Sequence, residues 1–97
     1  MNPYVVKAMS QYDDPMDAWY WALQERNRNP DPELANAEHF LYNRFYSQQG
    51  PLQQAAAFVT PVGYYLAKQA GMTNSRSPAS LEQMRMGLLG AFGGLLE

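Results

Sequence analysis

The sequence predicts an all-α fold: a small bundle of about four helices preceded by a short N-terminal one. Three observations carry that prediction. First, a capping-type residue stands before proline five times, at Asn2-Pro3, Asp14-Pro15, Asp31-Pro32, Gly50-Pro51 and Ser77-Pro78. Asn, Asp, Ser and Gly favour the N-cap, and proline suits the first helical position because its missing N–H has no partner there anyway. Second, apolar residues between these signals recur at helical spacing. Third, 97 residues with 46% hydrophobic, 13% aromatic and 16% charged content describe one domain with a modest core.

The first signal opens a short helix of one or two turns over Pro3 to Ser10. The second opens a helix from about Pro15 to Arg26, with Met16, Trp19, Tyr20 and Leu23 sharing one face. Asp13, Asp14 and Asp17 crowd its start, where the helix dipole favours carboxylates. The third helix, about Pro32 to Ser47, carries Leu34, Ala37, Leu41 and Phe45 on its core stripe. Ala35, His39, Tyr42 and Tyr46 form a neighbouring stripe. Gln48-Gln49-Gly50 closes this helix, with Gly50 placed just past its end.

The stretch Pro51 to Ala70 reads as the centre of the molecule. Leu52, Ala55, Ala56, Val59, Val62, Gly63, Leu66 and Ala70 fall on one stripe, and apolar residues cover most of the circumference. Such a helix is normally enclosed by neighbours. Pro61 within it predicts a kink or break near Ala57 to Thr60. A hairpin between the third and fourth helices is expected, and Gly71 supplies the C-cap. Residues 1–71 therefore form the helical core and the polar stretch 72–77 a linker.

Residues 78–97 form an apolar C-terminal helix starting at Pro78 or at the capping-box pattern Ser80-Leu-Glu-Gln83. Leu81, Met84, Leu88, Ala91, Phe92 and Leu95 line one face, with Gly87, Gly90 and Gly94 opposite. Each interior glycine costs about 1 kcal/mol against alanine, so this helix needs a partner surface to pack on.

Several function classes are argued against. Net charge is −2 and the seven Lys and Arg are spread thinly, so no basic stripe offers a nucleic-acid footprint. Without cysteine there is no disulfide framework, thiolate metal site or Cys nucleophile. The N-terminal residues lack the charged and apolar regions of a signal peptide. The nearly apolar run Ala55 to Ala67 is about 20 Å long as a helix, short of a bilayer core. A cytoplasmic or virion location is expected, with no transmembrane helix. His39 and Glu38 are adjacent and do not face each other on a helix. The serines sit in no nucleophile motif, and Asp13, Asp14 and Asp17 lack the glycine turn and distal Glu of a Ca²⁺ loop. No catalytic residue, cofactor or metal is expected.

The informative residues are those that depart from their own helix's polarity. Trp21 projects from a polar side and Phe40 sits among polar neighbours, and tryptophan is enriched at interface hot spots. Together with Met84, Gly87, Leu88, Gly90, Phe92, Gly94 and Leu95 they make the predicted protein interface. The tail could also lie on a membrane, but Arg85 is its sole cation, which favours protein.

The Ala-rich stretch and the Gly/Leu tail, over 55–96, resemble in composition segments of small virion and DNA-ejection components of short-tailed phages. The resemblance implies a virion component and transfers no functional residue. The expectation is a non-enzymatic structural or adaptor subunit, bound to protein partners or to further copies of itself. A membrane-associated accessory protein anchored by its tail is one alternative. A helical module binding a small molecule near His39, Tyr42 and Tyr46 is the other.

Overall fold

A computed structural model describes residues 2–71 and 81–97. The linker 72–77 and the start signals at Pro78 and Ser80 lie outside the described residues. Those described form five α-helices: α1 (Pro3–Gln11), α2 (Pro15–Arg28), α3 (Pro32–Tyr46), α4 (Pro51–Gln69) and α5 (Leu81–Leu96). The described residues form an all-helical fold, as the proline-cap pattern predicts.

Each of the first three caps forms by the expected chemistry. The Asn2 side chain accepts from the Tyr4 and Val5 amides, Asp14 from Met16 N at 2.8 Å, and Asp31 from Glu33 N at 2.9 Å. These bonds satisfy backbone donors that the first turn leaves without partners. Two contacts then tie the starts of α1 and α3 together. Tyr4 Oη donates to Asp31 Oδ2 at 2.9 Å, and Asn2 Nδ2 donates to the Glu33 carbonyl at 2.8 Å. Gly50 is not the residue that ends α3. The helix ends at Ser47, and Gly50, at φ 156°, is the N-cap of α4. Gly71, at φ 72°, takes the left-handed position after α4 that favours glycine.

The centre of the molecule is α3, not the stretch Pro51 to Ala70. α3 touches all four other helices, and its contact with α5 is the most extensive in the fold. It is buried on two sides. Ala37 and Leu41 pack with Val5, Ala8, Ala18 and Ala22 from α1 and α2. Phe40, Asn43, Arg44 and Ser47, spaced to share another face, meet the glycines of α5. That second face explains Phe40, which looks misplaced only if a helix is granted a single core side. Phe40 is 6% exposed.

On α2 the buried residues are Ala18 and Ala22, flanked by half-buried Trp19, Trp21 and Leu23, while Met16 and Tyr20 are exposed. The interior thus turns toward the alanines, because small side chains let α1 and α3 approach closely. The two indoles cover the flanks of that contact.

The enclosure expected for α4 fails. Only Ala57 is buried in this helix. Leu52, Val59 and Leu66 are 82%, 67% and 59% exposed, so much of the predicted core stripe faces outward. The expected α3–α4 hairpin is slight; α4 is held mainly by α5. It runs as one helix from Pro51 to Gln69 with Pro61 inside.

Candidate functional site

Two features stand out: a cleft and a bare helix face. The cleft follows from how α4 is held. α4 rests on α5 and the edge of α3, and its backbone does not approach α2. The gap between α2 and α4 is a cavity of about 590 Å³, with α3 and α5 completing its lining. Four of the five helices, α2 to α5, contribute residues to it. α2 supplies Trp19, Leu23 and Arg26; α3 supplies Glu38, His39, Tyr42, Asn43 and Tyr46. α4 adds Ala56, Thr60, Pro61, Tyr64 and Tyr65, and α5 adds Gln83, Met84 and Gly87. The stripe of His39, Tyr42 and Tyr46 legible in the sequence therefore does line a cavity.

The walls are largely aromatic and mutually braced. Trp19 stacks on Phe45 with ring centroids 5.9 Å apart and meets Tyr42 edge-on at 5.4 Å. Tyr42 stacks on Tyr46 at 5.5 Å. Such pairs contribute about 0.5–1.5 kcal/mol each beyond the area they bury.

The charges in the cleft are compensated. Buried Glu38 accepts from Arg26 Nη1 at 2.6 Å and from Trp19 Nε1 at 3.0 Å. Burial pushes the His39 pKa down from its ordinary value; the Glu38 carboxylate opposes this and the Arg26 guanidinium adds to it. Gln83 Nε2 lies against His39 Nε2. Burial also raises the Tyr42 phenol, with Tyr46 and Glu38 adding smaller contributions, which keeps its hydroxyl protonated at neutral pH. Among the described residues no group of three His, Asp or Glu is placed to hold a metal ion. The arrangement can grip a flat molecule and hydrogen-bond its edge.

The second feature is the outward stripe of α4. Leu52, Val59 and Leu66 recur every seven residues, with exposed Ala55, Gly63 and Ala70 on the same side. α4 carries one charged residue, Lys68, in 19. Nearby, Phe58 of α4 meets Phe92 of α5 edge-on at 6.2 Å. Phe92 leads to exposed Leu89, Leu95 and Leu96.

The predicted interface residues divide accordingly. Phe40, Gly87, Gly90 and Gly94 are buried between helices of this chain. Trp21 is half-buried on the core, with the Lys7 ammonium 5.6 Å from its ring centroid. Met84 lines the cleft and Leu88 is half-buried. Phe92 and Leu95 are exposed. Leu52, Val59 and Leu66 lie outside the predicted set, whereas exposed Leu89 and Leu96 belong to the apolar tail expected to meet protein. The recurrence of Leu52, Val59 and Leu66 every seven residues fits an inward face and an outward one equally well.

Among the described residues no helix is long and apolar enough to cross a membrane. No family model, curated protein or solved structure matches the chain.

Proposed function

We propose that this chain is a non-enzymatic assembly subunit that associates with further copies of itself through α4. The observation that carries the reading is the bare stripe of Leu52, Val59 and Leu66 on a helix with one charged residue. Monomers rarely leave large contiguous apolar patches in water, and such patches commonly mark protein interaction sites. Large residues alternate along the stripe with Ala55, Gly63 and Ala70. That alternation lets the knobs of one helix seat over the small residues of a second copy. The scarcity of charge means that two copies meet without like-charge repulsion. Phe92, Leu95 and Leu96 of α5 extend the apolar surface beyond α4. The compositional resemblance of 55–96 to phage components supports a virion as the assembly in question.

Light scattering with circular dichroism tests the proposal. The wild-type chain is expected to be a defined oligomer. The triple variant Leu52→Ser, Val59→Ser, Leu66→Ser is expected to be a monomer of unchanged helicity. A wild-type monomer at every concentration, or a triple variant of undiminished mass, would overturn it.

A further inference from the structure

We propose that the cleft between α2 and α4 is a binding site for a small, neutral, planar aromatic molecule. This is independent of self-association through α4, whose bare stripe lies on other residues.

Size comes first: about 590 Å³ falls within the roughly 300–1,000 Å³ typical of small-molecule pockets. Shape comes next. Trp19, Tyr42 and Tyr46 are stacked against one another or against Phe45, so that wall is braced before any ligand arrives. Tyr64 and Tyr65 face it from α4. Flat rings on both sides favour a flat guest, which gains stacking contacts on each face.

Charge decides between ligand classes. Arg26 and Glu38, the charged residues of the lining, satisfy each other at 2.6 Å. Glu38 already neutralises Arg26, so a ligand carboxylate or phosphate meets no uncompensated cation, and a ligand ammonium meets no uncompensated carboxylate. One ring nitrogen of His39 is already occupied by the Gln83 amide. A net charge brought into the cleft would therefore lose hydration without gaining a counter-charge. A neutral guest avoids that loss. The tyrosine hydroxyls and Thr60 remain to hydrogen-bond heteroatoms at its rim.

The test uses the neutral dye 1-N-phenylnaphthylamine, read by its own fluorescence and by quenching of tryptophan. The protein is the full chain carrying the three serine substitutions on α4, so that dye cannot report on the bare stripe. One saturable dye site per chain is expected. The anionic analogue 8-anilino-1-naphthalenesulfonate should bind at least about tenfold more weakly. Thr60→Trp places an indole at an exposed position of the lining and should abolish binding. Tyr64→Ala opens the α4 wall and should weaken binding about tenfold. Circular dichroism of both variants checks the fold, and because Tyr64 is partly exposed its variant keeps the test decisive if Thr60→Trp unfolds. Binding unchanged in a folded Thr60→Trp or Tyr64→Ala variant would overturn the proposal. So would equal affinity for the anionic dye, or no saturable site.

Discussion

Gly90 carries a hydrogen where other residues carry a Cβ, and the backbone of α3 occupies that space. A Cβ there would sit 2.7 Å from the Phe40 carbonyl carbon and closer still to its oxygen. In an ordinary helix interior, Gly→Ala stabilises by about 1 kcal/mol. Here the obstacle is backbone, which cannot rotate aside, and overpacking costs about 1–3 kcal/mol. Urea denaturation of Gly90→Ala should therefore show a net loss of roughly 1–2 kcal/mol. Gly63 on α4, tested in the monomeric triple serine variant, is the internal control. Nothing lies within 4 Å of its added Cβ, so Gly63→Ala should gain up to about 1 kcal/mol.

Arg44 and Glu97 make the other decisive residue-scale contact. Arg44 is buried, and its Nε donates to Glu97 Oε2 at 2.6 Å while Nη2 reaches Oε1. These bonds hold the Glu97 carboxyl below its ordinary pKa, against a smaller opposing effect of burial. A carboxylate whose pKa is lower in the folded chain contributes stability above its unfolded value. That contribution disappears as pH falls through the folded value. Glu97→Gln should cost about 1 kcal/mol at pH 7, a charge-assisted bond discounted because the Glu97 side chain is 41% exposed. Below the pKa of folded Glu97 the variant and wild type should converge. Thermal melts across the acid range check both statements.

At the scale of elements, α5 is an integral part of the fold, although in sequence it reads as a tail behind a linker. Its glycines let it lie against α3 more closely than any larger residue would allow, and α3·α5 is the most extensive helix contact. A chain ending at residue 71 would expose Phe40, Asn43, Arg44 and Ser47 together. It should lose the cooperative thermal transition seen by circular dichroism. A sharp transition in that fragment would show that residues 1–71 fold alone. α4 is the converse case. It holds the nearly apolar run Ala55 to Ala67, yet it has one buried residue. Its periodicity was legible, but what covers the apolar face was not, since a core-facing stripe and an interface stripe have the same spacing.

The whole molecule explains why so much apolar surface remains outside. The Cα positions span 38 × 33 × 20 Å. A helix with its side chains is about 10–12 Å across, so the short dimension admits about two layers. In so thin a body much of each outer helix stays in solvent, and among the described helices α3, which touches all four others, is the most enclosed. The cleft has the same origin: four helices surround it because α4 rests on α5 and does not reach α2.

Read along the chain alone, the residues specify the helical class, the caps at Asn2, Asp14 and Asp31, and the close-packing role open to the α5 glycines. These follow from local chemistry: a side-chain oxygen near a free amide, a proline whose φ suits a first turn, a residue without Cβ. The stripe of His39, Tyr42 and Tyr46 was legible for the same reason. Which apolar face turns inward is set by the packing of whole helices. This packing gave α3 two buried sides, drew Phe40 and three glycines into one contact, paired Arg44 with a carboxylate 53 positions away, and left Leu52, Val59 and Leu66 bare. Those outcomes depend on how closely whole helices can approach. The approach is set by the small residues on both partners at once, and no single stripe records it.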